Sequence, residues 1–124
     1  MAVYKTKEFA RWARKQDLQD EALCRAVAEM AAGLYDADLG GHLFKKRIAR
    51  TGQGKSGGFR TLVATNMDDV WIFLYGFAKN ERGNVDRDEE LALKKWAAVL
   101  IELAPSVLRK TLVVHDLIEV DCNG

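Results

Sequence analysis

HLFKKRIAR (residues 42–50), GGFRTLVAT (57–65) and DVWIFLYGFAKNERGNVD (69–86) follow one another through the middle of the chain and read as three consecutive strands ending in a charged turn. In the first, Phe44 and Ile48 alternate with Lys45, Arg47 and Ala49, so burying the first pair sends Lys45 and Arg47 to the other face. Lys46 breaks that pattern, which puts it either at an edge with its stem over apolar neighbours or at a bulge. In the second strand Arg60, Leu62 and Ala64 point one way, and Phe59, Thr61 and Val63 the other. Residues 66–69 make a tight turn, and Val70 to Phe77 is apolar on both faces, as suits the buried centre of a sheet. Trp71, Phe73, Tyr75 and Phe77 are expected to share one side of it as core, with Tyr75 alone kept as a candidate base-stacking or hydrogen-bonding residue.

Upstream, Val3 and Tyr4 suit a short strand. Thr6 can cap a helix running to Gln16 in which Phe9, Trp12 and Ala13 share a face. After a break at Asp17, Leu18, Ala22, Leu23, Ala26, Val27 and Met30 recur at steps of three and four as far as Gly33, which predicts a second helix and a helical hairpin with one apolar side. Tyr35 to Gly41, with Asp36, Asp38 and a glycine pair, reads as a loop. Downstream, Asp86 and Glu89 have capping-box spacing and open a helix whose stripe is Ala92, Trp96, Val99, Leu100 and Leu103, ended by Pro105. A short helical piece over Ser106 to Val114 and an extended run over Leu117 to Val120 finish the chain. The fold class is therefore α+β, an N-terminal helical hairpin packed on an antiparallel β-sheet with a C-terminal helix.

With 124 residues, 48% of them apolar, the chain suits a single domain, 1–124, with its own core. A net charge of +1 hides segregation: no Asp or Glu occurs from Leu39 to Met67, although the chain has 18 acids, and Lys45, Lys46, Arg47, Arg50, Lys55 and Arg60 all fall inside that window. Cys24 lies in an apolar helical pattern where a thiol acts as a small buried hydrophobe, and Cys122 is its only companion, so no disulfide framework is expected and a four-cysteine zinc site is excluded. His42 and His115 stand alone, which leaves no metal site and no cofactor to propose. The first fifteen residues are charged from Lys5 onward, without a signal-peptide apolar run, and the longest apolar run, Val70 to Ala78, is too short for a bilayer. The expectation is a soluble cytoplasmic protein with no membrane partner.

The chemistry has to come from the cations. GQGKS at 52–56 invites a nucleotide-binding reading, but Ala49 stands where that pattern needs glycine, and a strand follows where it needs a helix N-terminus. No nucleophile elbow or serine triad can be assembled. Lys45, Arg47 and Arg60 lie on neighbouring strands, and Lys79 and Arg82 follow the third strand out of the sheet. Their side chains can converge in one groove that attracts a nucleic-acid backbone. If RNA lies there, guanidinium and ammonium groups can stabilise the charge that develops as a 2′-hydroxyl attacks the adjacent phosphorus. Lys45, Lys79, Tyr75 and Asp86 are all available to move a proton, and the sequence does not choose among them.

KKRIAR, GKSGGFRTLVA and VWIFLYGFAKNERGNVDRDEE together resemble the RelE/HigB-like toxins of bacterial type II toxin–antitoxin modules, within the RelE/ParE superfamily. The best-matching parts are Gly57-Gly58-Phe59-Arg60 and Phe77-Ala78-Lys79-Asn80-Glu81-Arg82, and the likeness runs from about Lys5 to Val120. The resemblance implies a RelE/ParE-like fold, ribosome-dependent cleavage of mRNA in the decoding site, and a cognate antitoxin, expected to be a helix-turn-helix protein. By motif match, Lys45 and Arg47 fall where such toxins place strand lysines that orient substrate and move protons, and Arg60 falls on the phosphate-stabilising arginine. Lys46, Arg50, Lys55, Tyr75 and Lys79 then contact RNA. Two positions depart from the pattern: Asn80 stands in place of an arginine and Asp86 in place of a tyrosine, with Arg82 available for the missing charge. The competing readings are a gyrase-poisoning toxin of the same superfamily, which binds a protein and cuts no RNA, and a non-catalytic RNA-binding or interaction module.

Overall fold

The structure, a computed structural model, describes residues 2–50, 54–103, 110 and 116–122, with side chains throughout except at 54–57. Its elements are β1 (Ala2–Thr6), α1 (Lys7–Lys15), α2 (Asp20–Ala31), β2 (Ala37–Gly40), β3 (Leu43–Arg50), β4 (Gly54–Thr65), β5 (Val70–Ala78), α3 (Arg87–Glu102) and β6 (Leu117–Glu119). The strands form one sheet in the order β2-β3-β4-β5-β1-β6. Neighbours run antiparallel except β1 and β5, which are parallel. The α+β class and the helical hairpin on a sheet are as the sequence predicts, with a sheet that is mostly rather than wholly antiparallel.

Each face of the sheet carries its own core. Thr6 accepts the amide N–H of Phe9 at 3.1 Å and so caps α1, while its own hydroxyl donates to the carbonyl of Leu74 at 3.2 Å. From α1 and α2, Phe9, Ala13, Leu23, Val27 and Met30 pack on Phe44, Ile48, Phe59, Val63, Trp71 and Phe73. Trp12 lies flat against the backbone at Gly76: a Cβ there would stand 2.3 Å from the indole, so only glycine lets α1 approach so closely. On the opposite face Leu43, Leu62, Ala64, Ile72, Leu74 and Phe77 lie under Ala97 and Leu100 of α3. Among the described residues no helix is long and apolar enough to cross a membrane.

Several expectations are corrected. Tyr35 to Gly41 is not all loop: Ala37–Gly40 is a short edge strand, paired with β3 through a register shift between Asp38 and Gly40. Trp71 and Phe73 do not share a side with Tyr75 and Phe77. Leu62 pairs with Tyr75 while Val63 pairs with Phe73, so Leu74 is an extra residue, and one extra residue inverts the alternation beyond it. The buried stripe of α3 is Ala97 and Leu100, with Leu93 partly covered, whereas Ala92, Trp96 and Val99 face outward. Cys24 is not a free buried thiol but is bonded to Cys122, a partner 98 residues away that no local pattern reveals. The helical piece at 106–114 and His115 lie outside the described residues.

Candidate functional site

Directly opposed residues of antiparallel strands project to the same face. Arg47 opposes Arg60, Lys45 opposes Leu62, Arg60 opposes Phe77 and Leu62 opposes Tyr75. Lys45, Arg47, Arg60, Tyr75 and Phe77 therefore share the α3 side of the sheet. Along β4 this row passes from Ala64 and Leu62, which are covered in the second core, to Arg60, which is charged. The cations begin where the apolar cover ends.

Each cation is held differently. Arg60 is buried, 8% exposed, and burial, with Arg47 beside it, pulls its guanidinium below the usual arginine range against the opposing pull of Asp36. Both charge crowding and desolvation act against the protonated form. Arg47 is half-exposed, and its Nε donates to Asp36 Oδ1 at 2.6 Å while its amide donates to Oδ2 of the same carboxylate at 2.5 Å. Lys45 is partly buried and has no ion pair among the described residues.

Arg82 reaches back from the turn after β5. Its guanidinium lies 5.6 Å from the centre of the Phe77 ring, and Nη1 donates to the Tyr75 hydroxyl at 3.3 Å. Glu89 grips it with both carboxylate oxygens, at 3.0 and 2.5 Å, and Nε donates to the carbonyl of Asn84 at 2.9 Å. These contacts hold the Glu89 carboxyl well below its usual range, at about 2, and push the Arg82 guanidinium up. Glu89 also closes the α3 capping box, its Oε1 accepting the Asp86 N–H at 2.9 Å while Asp86 Oδ1 accepts the Glu89 N–H at 2.8 Å. Asp86 is thus occupied as a helix cap.

The structure brings Lys45, Arg47, Arg60, Tyr75 and Arg82 to one side of the molecule, with Lys79 exposed at the same end and its amide bonded to the carbonyl of Gly58 at 3.2 Å. It separates two others from them. Lys46 points to the helical face, where it is 4% exposed and its ammonium bonds Glu29 at 2.7 Å and the carbonyl of Leu34 at 2.8 Å. It pairs in register with Thr61, so no bulge is needed, and it lies just past Lys45, where β2 stops pairing with β3; there α2 supplies the carboxylate that lets a lysine stay inside. Arg50 also turns to the helical side, its guanidinium 5.5 Å from the centre of the Phe59 ring. The side chain of Lys55 lies outside the described residues. Sequence reasoning missed the two carboxylates that organise the site: Asp36 was read only as a turn residue, and Glu89 only as half of a capping box.

The arrangement suits a chain of phosphates. Several cations sit on one face of the sheet, one of them largely desolvated, beside a tyrosine and a phenylalanine ring. Residues 1–120 match the family model described as the RelE toxin of the RelE / RelB toxin-antitoxin system. No curated protein matches the chain.

Proposed function

Since the chain belongs to the RelE toxin family of toxin–antitoxin systems, we propose that this single-domain toxin inhibits translation as an endoribonuclease cutting mRNA on the ribosome. The observation that carries the reading is the opposed Arg47 and Arg60 pair, with Lys45 on the neighbouring position of the same face. In the proposed reaction the 2′-hydroxyl of the substrate attacks the adjacent phosphorus, and Arg60 donates to the equatorial oxygens as they gain charge. A guanidinium already stripped of water has little reorganisation to undergo when that charge appears. Lys45 and Arg47 hold the flanking phosphates, and Arg47 exchanges Asp36 for phosphate as it does so. The nucleophile belongs to the substrate and the cations carry the charge, so the scheme includes no cofactor. Messenger RNA and the ribosome are the proposed targets, a cognate antitoxin the proposed inhibitor, and the bacterial cytoplasm the proposed location.

Arg60→Ala tests it. On induction in cells this variant should not arrest growth or generate new mRNA 5′ ends, while its circular dichroism and melting match the parent. A folded variant that still arrests growth and cuts mRNA sinks the assignment of Arg60. Ribosome and RNA binding should also fall steeply with salt, as counterion release requires.

A specific observation favours a second reading, a module that binds RNA without cutting it: Asp86 is committed to the cap of α3 and Arg82 to Glu89. Mapping 5′ ends of cellular mRNA after induction separates the two, since a binding module creates none.

A further inference from the structure

Resting on the nuclease reading above, we infer that Tyr75 is the catalytic acid that protonates the leaving 5′-oxygen, and that Arg82, locked by Glu89, is the positioning residue that aims its hydroxyl. Four groups were available to move a proton, and the geometry narrows them to two before the hydrogen bonds choose. Asp86 is spent on the helix cap, with its oxygen 2.8 Å from the Glu89 amide. Lys79 is exposed on the turn beyond the sheet. Lys45, on β3, lies directly opposite Leu62 and so is also one diagonal step from Arg60, but no side-chain hydrogen bond of its own fixes its aim among the described residues. Tyr75 lies opposite Leu62 on the other flank of β4, one diagonal step from Arg60, a separation of about 7–8 Å that long side chains bridge.

The hydrogen-bond directions decide the role. Arg82 Nη1 donates to the Tyr75 oxygen at 3.3 Å, so the phenol accepts from Arg82 and keeps its own proton. Among the described residues that O–H donates to nothing. Arg82 itself has little freedom: Nε is bound to the carbonyl of Asn84, and Nη1 and Nη2 to the two oxygens of Glu89. A guanidinium so fully used is poorly placed to clamp a phosphate and well placed to fix the direction of a neighbouring hydroxyl.

In the step assigned here the 2′-oxygen forms a bond to phosphorus as the bond from phosphorus to the 5′-oxygen breaks. The 2′-hydroxyl proton leaves to water, the phenol proton passes to the 5′-oxygen, and the phenolate regains a proton from water. The products are a 2′,3′-cyclic phosphate and a 5′-hydroxyl.

The test uses the full chain, programmed ribosomes and two mRNAs in single-turnover reactions. One is ordinary and the other carries sulfur in place of the 5′-bridging oxygen at the cleavage site. A thiolate leaves without being protonated, so it bypasses the acid. Tyr75→Phe should cut the ordinary mRNA about 10²–10⁴-fold more slowly than the parent and the sulfur-bridged one at nearly the parental rate. Arg82→Gln should show the same rescue from a smaller loss, and ribosome affinity should be unchanged in both. Equal cutting of ordinary mRNA by Tyr75→Phe and the parent overturns the inference, and so does an equal loss on both substrates, which marks a stacking or structural role. A parent protein that cuts neither substrate overturns the nuclease reading itself.

Discussion

Lys46 and Arg47 are consecutive residues of one strand, carry the same charge, and meet opposite fates. On the helical face the charges are spent inside the protein. Lys46 closes on Glu29 and the carbonyl of Leu34, Lys5 bonds Asp20 at 2.8 Å, Arg50 lies over Phe59, and Cys24 is bonded to Cys122. On the α3 face Arg47 stands directly against Arg60, and that neighbouring charge adds to burial in pulling the Arg60 guanidinium below its usual range. Both faces hold ion pairs, Arg47 with Asp36 and Arg82 with Glu89 on the α3 side, but among the described residues only there does one cation stand directly opposite another. On the proposed reading the first face is scaffold and the second meets an anion.

The contrast breaks most visibly if one substitution is made on each side. Arg60→Ala should lower cleavage by about 10²–10³-fold with little change in melting temperature, the usual cost of losing one preorganised donor. Lys46→Ala should do the reverse. Its side chain is 5% exposed against a Glu29 side chain that is 27% exposed, so truncation strands a partly buried charge and a carbonyl, at a cost of about 2–3 kcal/mol. Folded Lys46→Ala should still cut mRNA at the parental rate, and Lys46→Met with Glu29→Leu should recover the lost stability. Thermal melts beside single-turnover cleavage decide the matter, and an active-site defect in Lys46→Ala with normal melting would erase the division of the sheet into two faces.

The disulfide offers the next test. It ties α2 to the segment after β6 across 98 residues, a loop long enough for a full chain-entropy effect. Cys122→Ser, or reduction of the parent by thiols, should lower unfolding free energy in denaturant titrations by about 2–4 kcal/mol. Cleavage below the melting transition should not change, because the bond lies on the scaffold side. A reduced protein that is equally stable but inactive would connect the C-terminal strand to the site instead.

Legibility in the sequence follows the range of the interactions. Period-two alternation placed Arg60, Leu62 and Ala64 on one side and Phe59, Thr61 and Val63 on the other, because a strand's faces are a local property. It also put Lys45 and Arg47 together, although whether they act as proposed is a matter for the variants above. The bulge at Leu74 was invisible, since nothing in WIFLYGF marks which apolar residue is the extra one. The covered face of α3 was misjudged for a related reason: Ala92, Trp96 and Val99 make as good a stripe as Leu93, Ala97 and Leu100, and only the neighbouring sheet chooses. The parallel pairing of β1 with β5, the Cys24 partner and the carboxylate at Glu29 depend on contacts across the fold, whereas Asp36 and Glu89 meet their arginines through turns whose path no periodicity gives.

Acid probes the latch at Arg82. The Glu89 carboxyl titrates at about 2 when folded against 4.5 for an unperturbed group, chiefly because Arg82 donates to it. Its folded value is depressed, so its stabilisation is complete above about pH 4.5 and is lost as pH falls through about 2. Melting temperature followed down that range should fall less in Glu89→Gln than in the parent. High salt should narrow the gap, because both side chains are about one-third exposed. Coincident acid profiles would mean that the Glu89–Arg82 pair adds nothing to the stability of the fold, which would weaken the case for Glu89 as the lock on Arg82.

The smallest effect is expected on the outward side of α3. Val99 is 57% exposed and Trp96 is 37% exposed, whereas Leu100, one residue on, is 6% exposed. Val99→Ser removes side-chain atoms that are already largely in water, so it should shift stability by about 0.5 kcal/mol or less. Leu100→Ala, which opens space between α3 and the sheet beside the site, should cost about 2 kcal/mol or more. Paired denaturant titrations measure both. If Val99→Ser proved as costly as Leu100→Ala, α3 would have to be turned about its axis in solution, and the apolar cover that ends one step before Arg60 would have to be drawn differently.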